Sequence, residues 1–125
     1  MNNDYDKYLE DNPSIGYLNI RAYAANEALP IADLEVMVYK EINNKKITFY
    51  RGKTDSSGVI RKIELPTKPL SNNDLEDPNY EDYNVVALYN NNELIFKVRI
   101  YENIEVLQNI SIVPNLRLDG SLYGS

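Results

Sequence analysis

What most constrains this chain is a set of short runs in which apolar side chains return at every second residue. From Gly16 to Ala24, Leu18, Ile20, Ala22 and Ala24 fall on one side, with Tyr17, Asn19, Arg21 and Tyr23 on the other. A period of two with one apolar face is the mark of a half-buried strand. Leu34 to Glu41 repeats it, with Leu34, Val36 and Val38 opposite Glu35, Met37 and Tyr39. Tyr83, Val85, Ala87 and Tyr89 share a face in a later run, and Leu94, Phe96, Val98 and Ile100 share the apolar face of the next. Ile104 to Val113 closes the set before Pro114, with Ile104, Val106, Ile110 and Ile112 expected inward.

The connections supply the order. Asn43-Asn44 and Asn90-Asn91-Asn92-Glu93 contain residues that tolerate the left-handed region, so each predicts a hairpin. Two β-rich runs, Ile47 to Lys53 and Val59 to Leu65, flank Thr54-Asp55-Ser56-Ser57-Gly58. Asp55 and the serines can bond local N–H groups and Gly58 can take positive φ, which makes a third hairpin the local reading. Pro66 cannot donate to a ladder and should end that strand. The expected core face of Val59 to Leu65 is Val59, Ile63 and Leu65, which puts Arg61 on the wrong side. Either a bulge lets Ile60 swap in, or Arg61 sits at a sheet edge. Seven strands at this spacing predict an all-β fold, a seven-stranded antiparallel Greek-key sandwich.

Composition narrows the function. The 125 residues suit one domain, expected at 15–116 between an N-terminal arm (1–14) and a C-terminal tail (117–125), both arms read as flexible or ordered by a partner. With 13 basic and 19 acidic side chains the net charge is −6 and no basic run exists, so neither nucleic acid nor an anionic membrane is an expected partner. Histidine and cysteine are both absent. That removes the commonest proton carrier, thiolate nucleophiles and thiolate metal sites, and the expectation is a non-enzyme without cofactors. Met1-Asn2-Asn3-Asp4-Tyr5-Asp6 has no basic or apolar leader character, so synthesis in the cytoplasm without a signal peptide is expected.

Candidate contact residues lie in the arms and in the longest break, Thr67 to Asn79. In the N-terminal arm Tyr5, Tyr8 and Leu9 can share one face of a helical turn and dock on a neighbour. Leu75 belongs to the long break and Tyr80 directly follows it, while Leu118, Leu122 and Tyr123 are apolar residues of the tail. Eleven tyrosines against two phenylalanines and no tryptophan suit either rim-of-core strand positions or a binding face. The acidic residues Asp74, Glu76, Asp77, Glu81 and Asp82 read as a solvated loop, lacking the spacing of a calcium loop and the apolar pocket that a catalytic carboxyl pair needs. Ser56 or Ser57 with Lys53 or Lys62 lacks an oxyanion hole in the sequence and reads as turn chemistry.

Gly16-Tyr-Leu-Asn-Ile20, Ala28-Leu29-Pro30-Ile31, Thr54-Asp55-x-Ser57-Gly58, Leu65-Pro66-x-x-Pro69, Tyr83-x-Val85 and Ile112-Val113-Pro114 occur in that order. The set resembles the transthyretin-like, carboxypeptidase-regulatory-type domain of spore cortex-lytic proteins and of short stand-alone proteins. The resemblance covers about residues 16–116. It implies a prealbumin-like sandwich with an accessory role: protein–protein assembly through loops and arms, as a homo-oligomer or as part of a phage tail, a tail-like particle or the spore. The alternative is a peptidoglycan or carbohydrate binder in which Tyr17, Tyr23, Tyr80 and Tyr83 stack on sugar.

Overall fold

In the computed structural model, which describes residues 3–24, 29–70 and 79–113, one short helix and seven strands build an all-β sandwich. The elements are α1 (Asn3–Asp11), β1 (Ser14–Ala24), β2 (Glu35–Ile42), β3 (Lys45–Lys53), β4 (Val59–Thr67), β5 (Glu81–Tyr89), β6 (Asn92–Ile100) and β7 (Glu105–Ile112). One sheet has the order β4-β1-β7 and the other β3-β2-β5-β6. The pairing is antiparallel except between β1 and β7, which run parallel from Tyr17 opposite Glu105 to Ala24 opposite Ile112.

The alternating residues meet between the layers. Leu18, Ile20 and Ala22 of β1, Val36 and Val38 of β2, Val85 and Ala87 of β5, and Ile100 and Ile110 are all fully shielded from water. A leucine, isoleucine or valine buried this way contributes about 1.5–3 kcal/mol, which is why period two dictates the layering. Both asparagine turns close hairpins as expected. Asn43 and Asn44 take φ 52° and 65°, Asn90 and Asn91 take 50° and 66°, and left-handed conformation at both central positions matches the twist of the strands they join.

Pro66 does not end β4, which runs through it to Thr67 with Pro66 opposite Ile15, and three further expectations are corrected. The Thr54–Gly58 connection is a crossing between the sheets and not a hairpin, since β3 pairs with β2 and β4 with β1. The turn chemistry is as read: Asp55 accepts from the N–H groups of Ser57 (2.8 Å) and Val59 (3.0 Å), and Gly58 sits at φ 77°. Thr54, however, ties to Leu34 and Ile31, while the carbonyl of Gly58 accepts from Ala22 of β1 (2.7 Å), so the two legs leave for different layers. Secondly, Val59 lies opposite Arg21, on the outer side of its sheet, and Ile60 takes the inward place. The extra residue of the expected bulge lies on β4, between the Ile60–Ile20 and Ile63–Leu18 pairs, with Lys62 at φ 55°. Thirdly, Ile104 is 46 % exposed, because it precedes β7 in the turn from Tyr101.

The N-terminal segment also differs from a free arm. Residues 3–11 form α1 against the chain's own sandwich, beside the β2–β3 turn, where Asp4 meets Asn43 (3.0 Å) and Lys45 (3.4 Å). A helix of nine residues is marginal alone and is held by what it docks on. Among the described residues no helix is long and apolar enough to cross a membrane.

Candidate functional site

Two regions draw in the residues singled out by the sequence. The first is the socket beneath α1. Tyr8 enters it with its ring against Phe49 of β3 (centroids 5.6 Å) and edge-on to Tyr83 of β5 (6.4 Å), and it is only 8 % exposed. Its hydroxyl lies 2.9 Å from both a Glu81 carboxylate oxygen and the Tyr83 hydroxyl, and the Tyr83 hydroxyl donates to the Pro66 carbonyl. Glu81 is ion-paired with Lys40 (3.1 Å) and with Lys68, and Lys40 also lies over the rings of Tyr8 and Tyr83.

The charges of this socket are internally balanced. Burial opposes ionisation of Glu81, but bonds from Lys68 and Tyr8 and the charge of Lys40 outweigh it and hold the carboxyl below its usual range. Asp82 is likewise depressed, its burial outweighed by Lys40. Burial, with the neighbouring hydroxyl and carboxylate, pushes Tyr8 far above the ordinary phenol value; burial does the same to Tyr83. Both phenols are therefore neutral across the physiological range and serve as hydrogen-bonding plugs.

The expected contact residues of the arm thus face inward. Tyr5 packs on Phe49 (5.7 Å), Tyr8 fills the socket and Leu9 is half-buried. Tyr80 rests against Tyr101 (5.7 Å) under the guanidinium of Arg99 (4.6 Å). Leu75, Leu118, Leu122 and Tyr123 lie outside the described residues, as do Asp74, Glu76 and Asp77. Glu81 and Asp82, read as part of a solvated acidic loop, instead open β5 and carry the ion pairs to Lys40. Among the described residues no group of acidic side chains is arranged to hold a metal ion. Sequence reasoning missed Lys40 and Lys68 altogether; the only available signal was two cations at a distance in sequence from an acid whose strand begins directly after a loop.

The second region is the outer face of the three-stranded sheet. A shallow cleft of about 400 Å³ there is lined by Asn19, Arg21, Val59, Arg61, Lys62, Glu105 and Leu107. The β4 bulge organises it: Asn19 accepts from the backbone N–H of Lys62 (2.8 Å) and donates to Glu105 (3.0 Å), which pairs with the Lys62 ammonium (3.5 Å). The Asn19 bond, aided by Lys62, lowers the Glu105 carboxyl. Tyr17 lies under Lys62 (5.7 Å) and Tyr23 under Arg21 (5.0 Å), so of the four tyrosines considered for sugar stacking these two are on an outer face, whereas Tyr83 is fully buried.

The four sheet edges are unequal. β3 is bulged at Phe49, carries Lys45, Lys46, Arg51 and Lys53, and is backed by α1. β4 has its bulge, Arg61, Lys62, Glu64 and Pro66, and β6 has Glu93, Lys97 and Arg99. Such features are the usual protection of an edge against pairing with another chain. β7, Glu-Val-Leu-Gln-Asn-Ile-Ser-Ile, has one charge, no proline and an unbroken register. A groove of about 380 Å³ runs beside it, lined by Lys97, Val98, Arg99 and Tyr101 across from Val106, Leu107 and Gln108. No known protein-family model matches the chain, and no curated protein matches it either.

Proposed function

We propose that this protein is a non-catalytic β-sandwich module that works by protein–protein assembly within a larger complex, of the kind found in a phage tail, a tail-like particle or a spore cortex-lytic assembly. One observation carries the reading: among the described residues, three of the six exposed large hydrophobics, Ile104, Leu107 and Val113, lie on or at the ends of β7, the one edge that those residues leave without a bulge, a proline or a run of charges. Apolar side chains beside unpaired backbone groups are what a strand-adding partner covers. The resemblance to transthyretin-like accessory domains points the same way, and the seven-stranded two-layer architecture is the one that resemblance implies. Gradient fractionation of the native source, followed by detection of this chain, is the test. Co-sedimentation with a species far heavier than the free chain supports the proposal, and recovery solely as free chain counts against it.

A second reading, carbohydrate or peptidoglycan binding, is favoured by Tyr17 and Tyr23 flanking the cleft on the outer face. Retention on purified cell wall that is lost in a Tyr17→Ala, Tyr23→Ala variant supports it. Absence of retention at low salt removes it.

A further inference from the structure

We infer that the cleft on the outer face of the three-stranded sheet binds an acidic segment of a partner polypeptide, with one carboxylate at Arg21, another at Arg61 and Lys62, and an apolar side chain between them. The inference rests on the assembly reading and names the chemistry of one partner contact.

The β4 bulge builds the site. Ile60 and Ile63 both turn inward, and regular alternation admits only one outward residue between two inward ones. The extra residue instead leaves Arg61 and Lys62 exposed side by side at the cleft. Holding them there takes left-handed backbone at Lys62 (φ 55°). The other described non-glycine residues at positive φ are all asparagine or aspartate, whose short polar side chains tolerate it; lysine has no such compensation. The side chain of Asn19 fixes the strained residue by accepting from its N–H (2.8 Å). Backbone held out of its preferred regions by its surroundings is concentrated at binding sites.

Charge gives the sign of the ligand. Arg21 of β1 stands opposite Val59 with its guanidinium over the Tyr23 ring (5.0 Å), and no carboxylate of the described residues is within ion-pairing distance of it. Arg61 reaches Asp55 only at 3.9 Å, and that carboxylate already accepts from the N–H groups of Ser57 and Val59. Lys62 pairs with Glu105 (3.5 Å), the one carboxylate lining the cleft. Three cations against one carboxylate make this cleft positive on a chain whose net charge is −6. An anion is therefore drawn to this place against the repulsion of the rest of the surface.

Shape selects among anions. A compact anion such as phosphate is held by donors that converge on it. Here Arg21 and the pair Arg61 and Lys62 come from different strands, Glu105 stands among them, and both ends of the Asn19 amide are already bonded. Val59 of β4 and Leu107 of β7, the latter 56 % exposed, add apolar walls on either side of β1. Carboxylates spaced along a backbone around an apolar side chain match both features. A neutral sugar would first have to displace Lys62 from the Tyr17 ring and Arg21 from the Tyr23 ring.

The probe is a capped peptide with a leucine between two pairs of glutamates, titrated into the full chain to about 5 mM, a range suited to a few exposed ion pairs, with amide chemical shifts as the readout. Saturable shifts at Asn19, Arg21, Lys62 and Leu107 are expected, weakening as salt is added, with none from the same peptide carrying lysine in place of glutamate. The double variant Arg21→Glu, Arg61→Glu, at two exposed positions, should bind the acidic peptide at least about tenfold less tightly and take up the lysine peptide instead. That exchange of preference separates lost binding from lost folding. No shift with the acidic peptide, equal shifts with both peptides, or a double variant that keeps its preference for the acidic one overturns the inference. Tighter binding of inorganic phosphate or polygalacturonate at the same amides also overturns it, assigning the cleft to a compact anion or an acidic glycan. A chain that ignores the acidic peptide yet co-sediments with a heavy particle overturns this contact alone and leaves the assembly reading standing.

Discussion

The flanks of the sandwich have been finished in opposite ways. On one, β3 and β4 lie over each other, both are bulged, the Thr54–Gly58 crossing bridges them, and α1 closes the neighbouring end with Tyr8 seated among Phe49, Tyr83 and Glu81. On the other, β6 and β7 face across an open groove, and among the described residues β7 has no partner on its outer edge. The difference shows where this chain spends its buried polar chemistry: on sealing itself at α1, leaving the far flank available.

That contrast predicts unequal sensitivity. Tyr8→Ala should be the most damaging change, lowering stability by about 3–4 kcal/mol in chemical denaturation through lost ring packing and a stranded Glu81. A loss under about 1 kcal/mol would mean that α1 does not seal the end. Glu81→Leu leaves Lys40 and Lys68 without their shared carboxylate, and about 2–3 kcal/mol is expected, the half-exposed Lys68 recovering part of its hydration. Gly58→Ala puts a methyl group at positive φ against the Ala22 carbonyl, for about 1–2 kcal/mol. On the open flank, Leu107→Lys should change monomer stability by less than about 0.5 kcal/mol. A thermal melt showing the open flank as sensitive as the sealed one would dissolve the distinction.

Acid and base sharpen it further. The Glu81 carboxyl is lower in the fold than in the unfolded chain, so its contribution is present above about pH 4.3 and lost as pH falls through the folded value. Tyr8 and Tyr83 are raised, so their neutral forms support the fold fully below about pH 10, and stability falls as pH climbs beyond it, by up to about 1.4 kcal/mol per pH unit for each phenol. Tyr8→Phe should flatten the alkaline limb in pH-dependent melts.

The layers were legible because period two is imposed by water on one side and core on the other, and Leu18, Ile20, Val36 and Val85 obey it. Arg61 revealed the β4 bulge by breaking the parity, and the paired asparagines revealed two hairpins because few other residues accept left-handed backbone in succession. The turn chemistry at Asp55 and Gly58 held, but the hairpin read from it did not. Such chemistry fixes a bend but says nothing about which strand each leg will meet, and here Thr54 and Gly58 bond to different sheets. The socket was illegible for a related reason: Tyr8, Lys40, Lys68 and Glu81 are joined only by the tertiary fold, and the one helical turn legible at Tyr5, Tyr8 and Leu9 did not say that its dock is the chain's own sandwich.

The parallel pairing of β1 with β7 also settles how the body answers to tension. Because the two strands point the same way, a pull on Ser14 and Val113 drags neighbours past each other lengthwise, so the rungs from Tyr17–Glu105 to Ala24–Ile112 resist together instead of opening one by one. Stretched from those two positions in a single-molecule experiment, the sandwich should yield in one abrupt rupture, a mechanical character suited to a part that transmits load.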